Sequence, residues 1–182
     1  ITPANLRGLK VVFINMPLRE TAAPNDTPQG PLLLTTILQN IYCVNATIVD
    51  LNGYRIDGQH LTEKTTVELI KKHFEVHGEP DLIGFSGMIT TLRWQEKVAK
   101  IVRQLAPDAF LVSGGGLATE LKAGLFNYIP ELNGIVRSEG DDIIVKVAYD
   151  AKIIKETGKL ISHRFIYEGD RPKNLDSIPF AD

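Results

Sequence analysis

Residues 109–119 read AFLVSGGGLAT, an apolar run that ends in three glycines and is followed by a helical pattern. The aromatic and branched residues before Ser113 favour a β-strand. Gly114, Gly115 and Gly116 have no side chains, so a ligand can approach the backbone closely at this turn. The stretch therefore predicts one strand–loop–helix unit of an α/β fold.

The same unit recurs along the chain, and a strand is predicted at each of five short apolar runs. These runs are Lys10–Asn15, Ala46–Leu51, Asp81–Phe85, Ala109–Val112 and Asn133–Arg137. Helical patterns alternate with them, at Pro31–Tyr42, after Thr62, from Thr90 or Thr91 to Leu105, at Thr119–Asn127 and from Asp141 or Asp142 to Tyr149. Continuously apolar strands are typical of parallel sheets that are covered on both faces. We therefore expect a doubly wound, five-stranded parallel sheet of the flavodoxin or Rossmann type with helices on both faces.

The last part of the chain has a different pattern. Residues 8–151 are expected to form the α/β domain, and residues 152–182 a strand or hairpin around Leu160–Tyr167 and a linker.

Composition excludes several classes of protein. The 182 residues carry a net charge of −2, with no basic field for nucleic acid. No apolar stretch approaches the roughly 20 residues of a membrane span, and no signal peptide is visible. Cys43 is the one cysteine, which excludes an internal disulfide or a cysteine-ligated cluster. These features predict a cytoplasmic protein, and because the sequence starts at Ile1 rather than Met we expect it to be cut from a longer one.

Motifs of the common ligands of this architecture are absent from the sequence. The loop after the first strand has no G-x-G-x-x-G, and no P-loop occurs anywhere. His73 and His77 lie four residues apart on a predicted helix, but no third metal ligand is evident. No nucleophile has a sequence neighbour that reads as a base, so no catalytic residue and no metal ligand is predicted.

Four small or polar loops follow the strands of the predicted sheet. They are Met16–Gly30, Ser86–Thr91, Gly114–Thr119 and Ser138–Asp142. In an open parallel sheet, ligands bind beyond the carboxyl ends of the strands. We therefore expect one binding crevice made of backbone, Ser, Thr and Gly.

The order of short motifs resembles a known family. The motifs are INMP at 14–17, QGPLLL at 29–34, TIVDLNGY at 47–54, PDLIGFSGMITT at 80–91, SGGGLAT at 113–119, SEGDD at 138–142 and KNLDSIPFAD at 173–182. Together they resemble the N-terminal cobalamin-binding domain of cobalamin-dependent radical SAM enzymes. Two mild departures are Gly116, where the family has Pro, and a final turn that begins with Ser138 and has Asp141 in place of Glu.

This resemblance implies a cobalamin site without a histidine ligand to cobalt, because the Asp-x-His-x-x-Gly motif of methionine synthase and the mutases is missing. It implies that the loop after the first strand faces the cobalt, through Leu18, Arg19, Glu20 and Thr21. It also implies that the dimethylbenzimidazole tail of cobalamin enters the sheet edge. The implied cofactor-binding residues there are Ser86, Gly87, Thr90, Thr91, Ser113, Gly114, Gly115, Gly116, Thr119, Ser138, Glu139 and Gly140.

The resemblance further implies a partner domain. Radical SAM chemistry needs a C-x-x-x-C-x-x-C cluster, so this chain alone is not expected to be an enzyme. The 4Fe-4S cluster and S-adenosylmethionine are expected in a barrel that follows Asp182 in the parent, a methyltransferase or an enzyme of related radical chemistry. Two alternatives stay open: a self-sufficient nucleotide- or sugar-binding α/β protein, such as a glycosyltransferase half, and a non-catalytic interaction domain.

Overall fold

A computed structural model describes residues 1–18, 27–53, 61–158, 164–170 and 178–179 of the chain. The strands are β1 Lys10–Asn15, β2 Asn45–Asp50, β3 Leu82–Ser86, β4 Phe110–Gly114, β5 Gly134–Ser138 and β6 Phe165–Gly169. The helices are α1 Gln29–Thr36, α2 Glu63–His77, α3 Leu92–Leu105, α4 Gly116–Leu121, α5 Leu125–Tyr128 and α6 Ile144–Thr157. A π-helical turn, Ile37–Ile41, extends α1, and 3₁₀ turns lie at Pro3–Leu6, Ile89–Thr91 and Lys122–Gly124.

The sheet has six parallel strands in the order β2-β1-β3-β4-β5-β6. The five predicted strands are confirmed, but the predicted count is wrong, because β6 adds a sixth strand. β6 pairs in parallel with β5, with Gly134 opposite Phe165 and Ser138 opposite Gly169. Of the strand or hairpin predicted around Leu160–Tyr167, the described residues form the strand β6: α6 carries the chain back before β6 pairs, and such a return gives a parallel strand.

Two hydrophobic layers cover the sheet, one on each face. Alternate strand residues point to opposite faces. Val12, Ile83 and Leu111 pack with α2, α3, α4 and α5, on what we call the α2/α3 face. Val11 and Val112 pack with the helical segment after β1 and with α6, on the α1/α6 face.

The last connection of the sheet has an unusual hand. From β1 the chain moves to β2, at one edge of the sheet, through a helix on the α1/α6 face. The next three connections, to β3, β4 and β5, move toward the opposite edge through helices on the α2/α3 face. These four connections share one hand, which is right-handed in nearly all proteins. The connection from β5 to β6 also moves toward this opposite edge, but its helix, α6, lies on the α1/α6 face instead of the α2/α3 face. The β5–α6–β6 connection therefore has the opposite hand to the other four.

Several helix ends differ from the prediction. α6 continues past Tyr149 to Thr157 and ends at Gly158, whose φ of 62° is the left-handed conformation that favours glycine. The predicted boundary after residue 151 thus falls inside α6. The single helix predicted at Thr119–Asn127 is wrong, because α4 already starts at Gly116 and the chain turns at Lys122 before α5.

The start of α2 agrees with the sequence. The side chain of Thr62 accepts a hydrogen bond from the Thr65 backbone N–H at 3.1 Å, which confirms it as the predicted cap. Among the described ranges, no helix combines the length and the apolar character needed to cross a bilayer.

Candidate functional site

A cavity of about 190 Å³ opens at the carboxyl ends of the central strands, on the α1/α6 face. It lies between the start of α1 and the start of α6. Its lining residues are Phe13, Gly30, Pro31, Leu34, Gly84, Phe85, Ser86, Val112, Gly114, Gly115, Val136, Ser138, Glu139, Gly140 and Ile144. This is the edge of the sheet at which open α/β folds bind ligands.

Gly114 explains the space in the cavity, and its surroundings differ from those of Gly84 on the neighbouring strand. Gly84 of β3 pairs with Val112 of β4, and Gly114 lies two residues further along β4. By the alternation of the strands, both glycines point to the α1/α6 face. A Cβ at Gly84 would lie 2.7 Å from the Phe13 ring, whereas a Cβ at Gly114 would lie at an ordinary 3.7 Å from Val136. Phe13 therefore fills the space over Gly84, and the space over Gly114 belongs to the cavity.

Helices α1 and α6 form the walls of the cavity. A Cβ at Gly140, before α6, would lie 3.4 Å from the Leu34 side chain of α1, so the two walls approach each other there. The deep lining is apolar, from Phe13, Leu34, Val112, Val136 and Ile144, and all of these except Leu34 are buried. Polar side chains lie at the strand ends: Ser86 is half-buried, and Ser138 and Glu139 are exposed. The cavity is thus apolar inside and polar at its mouth.

The structure brings together half of the residues predicted for the cobalamin tail. Ser86, Gly114, Gly115, Ser138, Glu139 and Gly140 all line the cavity. The others do not line it, namely Gly87, Thr90, Thr91, Ser113, Gly116 and Thr119. Of the residues predicted to face the cobalt, Leu18 lies outside the cavity and is 37% exposed. Arg19, Glu20 and Thr21 lie outside the described residues.

Ser113 is directed away from the cavity. Its side chain is fully buried and donates a hydrogen bond of 2.7 Å to Oε1 of Gln95, a buried side chain of α3. Because Ser113 alternates with Gly114, its hydroxyl lies on the α2/α3 face. Ser113 is thus in the core, where its hydroxyl pairs with the amide of Gln95.

Thr119 and Thr91 join backbone segments near the cavity. The Thr119 hydroxyl donates to the Gly115 carbonyl at 3.0 Å and accepts from the Ser138 N–H at 3.1 Å, so it connects the loops after β4 and β5. Ser138 has a positive φ of 62°, an uncommon conformation for a residue other than glycine. The Thr91 hydroxyl donates to the Met88 carbonyl at 2.8 Å. Both threonines therefore shape the loops rather than line the cavity.

Gly87 and Gly115 are packed against each other between two loops. The Leu117 N–H donates to the Gly87 carbonyl at 3.3 Å. A Cβ at Gly115 would lie 3.2 Å from the same carbonyl, and Gly115 has a φ of 82°. A side chain is therefore disfavoured at Gly115 both by the backbone conformation and by the neighbouring loop.

The end of β6 supports the rim of the cavity. A Cβ at Gly169 would overlap the carbonyl group of Glu139, so glycine is required for β6 to reach this position. On the other face of the strand, Arg137 and Glu168 form an ion pair of 2.7 Å between β5 and β6. β6 thus contacts the loop that carries Ser138, Glu139 and Gly140.

Carboxylates surround the start of α6. Burial and the nearby Glu139 and Asp142 carboxylates raise the pKa of Asp141 above its ordinary value. Among the described residues that line the cavity there is no Lys or Arg. The mouth therefore has negative rather than positive charge.

Two structures of the cobalamin-dependent S-adenosylmethionine radical enzyme OxsB share this fold. The structure with aqua-cobalamin and S-adenosylmethionine bound matches with a TM-score of 0.61 and 18% identity, over 85% of this chain and 20% of OxsB. The structure with aqua-cobalamin bound matches with a TM-score of 0.60 and 19% identity, over the same shares. The predicted resemblance is confirmed.

The likeness to OxsB establishes a shared fold. A curated relative is the anaerobic magnesium-protoporphyrin IX monomethyl ester cyclase of Cereibacter sphaeroides, which is 27% identical over 103 residues. That match covers 56% of this chain and 17% of the cyclase, so the chain spans about a fifth or less of the proteins it matches. No family model matches the sequence.

Sequence reasoning missed the deep lining of the cavity. It interpreted residues 81–85, DLIGF, as a strand and as part of the motif at 80–91, and it did not predict Gly84 as a site residue, although a glycine inside a strand often marks the close approach of a ligand. Gly84 was therefore the available signal. Phe13, Val112 and Val136 had no such signal, because each is an ordinary apolar strand residue until the helices are placed.

The histidine pair lies far from this cavity, on α2. Burial and the neighbouring His77 lower the pKa of His73 to about 4, and its Nε2 lies 2.8 Å from the Thr47 hydroxyl of β2. The two imidazole rings are 4.4 Å apart. Within the described part of the chain, no group of three or more His, Cys, Asp or Glu is placed to hold a metal ion.

Proposed function

We propose that this chain is the cobalamin-binding module of a cobalamin-dependent radical SAM enzyme, and that its cavity receives the nucleotide tail of the cofactor. The observation that carries the proposal is the cavity itself: an apolar space over Gly114, at the ligand-binding edge of a chain with the fold of OxsB. A side chain at Gly114 would fill this space without a clash at its Cβ. The residues present therefore fit a flat, largely apolar group.

The charge of the mouth argues against a polyanionic ligand. A nucleoside di- or triphosphate site usually has Lys or Arg near the phosphates, or a glycine-rich loop on a helix N-terminus. Gly114 and Gly115 do precede α4, but among the described residues the lining contains no Lys or Arg, and Glu139, Asp141 and Asp142 lie beside it. The nucleotide-binding alternative is thus less favoured than a tail with a single phosphodiester. A neutral sugar would need more polar side chains than the deep lining offers.

The loops beside the cavity suit the corrin ring. Leu18, Met88 and Ile89, which we call the apolar rim, are 37%, 52% and 50% exposed. They follow β1 and β3, the two neighbouring strands at which the order of the sheet reverses. Large exposed apolar side chains at a binding edge favour contact with a flat apolar surface. We assign the corrin to this rim, with Gly87, Thr90 and Gly116 next to it.

The remaining expectations are part of the same proposal. The loop that starts at Leu18 would face the cobalt, and no histidine from this loop would bind it. Bound cobalamin would supply a cobalt centre for methyl transfer or related radical chemistry. The partner would be a radical SAM domain of a longer chain, which would carry the 4Fe-4S cluster and S-adenosylmethionine.

The test is a binding experiment with matched variants. The purified chain is incubated with hydroxocobalamin, and corrin absorbance is measured in the protein peak after gel filtration. We expect the wild type to retain corrin and Gly114→Leu to lose it, because the leucine side chain would occupy the cavity. Gly124→Leu is the control, since a Cβ there meets nothing within 4 Å.

Two results would overturn the proposal. One is a wild-type chain without corrin absorbance, which would reject the binding of cobalamin. The other is full retention of corrin by Gly114→Leu, which would reject the cavity as the site of the tail. Circular dichroism of each variant shows whether its fold is intact.

A further inference from the structure

We infer that the cavity discriminates between cobamides by their lower base, and that it selects an apolar benzimidazole over a purine. This inference rests on the proposed function. It concerns only the end of the nucleotide tail, which is the part that differs among cobamides. The argument starts from the chemistry of the deep lining.

The described residues of the deep lining offer apolar contacts and no side-chain hydrogen bonds. Its members are Phe13, Val112, Val136 and Ile144, each at most 8% exposed, and Leu34 of α1. A purine such as adenine has ring nitrogens and an amino group that form hydrogen bonds with water. These groups would lose their water partners inside such a lining and would find no side-chain replacement.

Buried polar atoms that lack a partner do exist in the described residues, but they lie elsewhere. They are Oγ1 of Thr35, Nε2 of Gln95, Oε2 of Glu131 and Nε of Arg137. None of these residues lines the cavity. Among the described residues of the lining, no buried side-chain donor or acceptor therefore lacks a partner that a polar base could supply.

The polar groups of the site lie at a different depth. Ser86, Ser138 and Glu139 are at the ends of the strands, where the sugar and phosphodiester of the tail would pass. These parts are common to cobamides with either base. The mouth therefore binds both kinds of tail alike, and the difference in affinity arises in the apolar depth.

The methyl groups of dimethylbenzimidazole add to the preference. Val112 of β4 pairs with Gly134 of β5, and Val136 lies two residues further along β5, next to the space over Gly114. Each methyl group removed from water by such a surface strengthens binding by roughly 4-fold. A benzimidazole without methyl groups should thus bind between dimethylbenzimidazole and adenine.

The test compares three ligands in their dicyano forms, in which cyanide occupies both axial positions and the tail is free of the cobalt. Dicyanocobalamin, its adenine counterpart and dicyanocobinamide, which lacks the phosphate, the ribose and the base of the tail, are titrated against the whole chain. Binding is followed by tryptophan fluorescence quenching and by calorimetry. We expect dicyanocobalamin to bind at least ~10-fold more tightly than the adenine form.

The outcomes separate this inference from the proposed function. Equal affinity of the two base-containing forms, with weaker cobinamide, would overturn the inference and leave the proposed function standing. Equal affinity of all three would show that the tail does not enter the cavity. Absence of binding for all three would reject the proposed function and the inference with it.

A polar substitution in the deep lining tests directly whether the apolar contacts cause the preference. Val112→Thr places a hydroxyl in the deep lining with little change of volume, so the preference for dimethylbenzimidazole over adenine should narrow. Val12→Thr makes the same change on the α2/α3 face, where Val12 is 2% exposed. The control should lower stability and leave the ratio of the two affinities unchanged. An unchanged ratio in Val112→Thr would count against the inference.

Discussion

The two faces of the sheet are built from the same strands but differ at the carboxyl edge. On the α2/α3 face, buried apolar side chains of the strands pack with those of the helices, and even the polar Ser113 has a partner in Gln95. On the α1/α6 face, Gly114 leaves a cavity between two helices. Because neighbours along a strand point to opposite faces, one set of residues stabilises the fold while the other leaves room for a ligand.

This difference teaches where stability and function can be separated. Substitutions on the α2/α3 face should lower the free energy of unfolding and leave ligand affinity alone. Substitutions that fill the space over Gly114 should lower ligand affinity and leave the free energy of unfolding unchanged.

The largest effect is expected for Leu111→Ala. Leu111 is fully buried on the α2/α3 face, so its loss should lower the free energy of unfolding by about 2–5 kcal/mol. Urea denaturation followed by circular dichroism measures the change. The folded variant should bind cobalamin like the wild type. A loss below about 1 kcal/mol would show that this face is not tightly packed.

The next largest effect is expected for Gly84→Ala, which tests whether the Phe13 ring fills the space over Gly84. The new Cβ would lie 2.7 Å from the Phe13 ring, and this overpacking should cost about 1–3 kcal/mol of unfolding free energy. Gly114→Ala is the matched control, because its Cβ meets Val136 at 3.7 Å. Chemical denaturation of both variants should show a loss only at Gly84. Equal losses would mean that the two glycines have the same surroundings.

A smaller effect is expected for Ser113→Ala. The substitution removes the hydroxyl that donates to Gln95 and should lower the free energy of unfolding by about 1 kcal/mol. Cobalamin affinity, measured by titration, should not change, because the hydroxyl lies on the α2/α3 face. A clear loss of affinity with full stability would instead place Ser113 in the binding site.

The smallest effect is expected from pH. The pKa of His73 is about 4 in the folded chain against an ordinary 6.5, so the unfolded chain binds more protons between these values. Stability should therefore fall as the pH drops from about 6.5 to about 4, and solvent should keep the effect small because His73 is half-buried. His73→Gln should lose less in Tm between pH 7.5 and pH 4.5 than the wild type. Equal losses would exclude His73 as a contributor.

Much of the fold followed from short apolar runs and the glycines after them. The run before Ser113 marked β4 correctly because branched and aromatic residues favour strands. The sequence predicted a strand or hairpin around Leu160–Tyr167, and the structure has β6 at Phe165–Gly169. Nothing in those five residues states which strand they pair with. That choice depends on the path of α6.

The sequence predicted the edge of the sheet at which the candidate site lies, but not which side chains at this edge face the cavity. Ser113 and Gly114 are adjacent in the sequence, yet one lies in the core and the other over the cavity. The direction of a side chain depends on the register of the whole strand, which a loop motif does not determine. The same limit explains why Gly84 was not predicted as a cofactor-binding residue, whereas Gly116, with open space around it, was predicted as one.

The contact between Gly169 and Glu139 has a mechanical consequence. β6 joins the sheet by the one connection of opposite hand, and its last residue rests directly on the peptide of Glu139. Tension applied to the chain beyond residue 170 would be transmitted along β6 to this peptide, with no flexible side chain between them to absorb the displacement. Any domain that follows could thus sense or adjust the opening of the cavity by a shift of one strand along its axis.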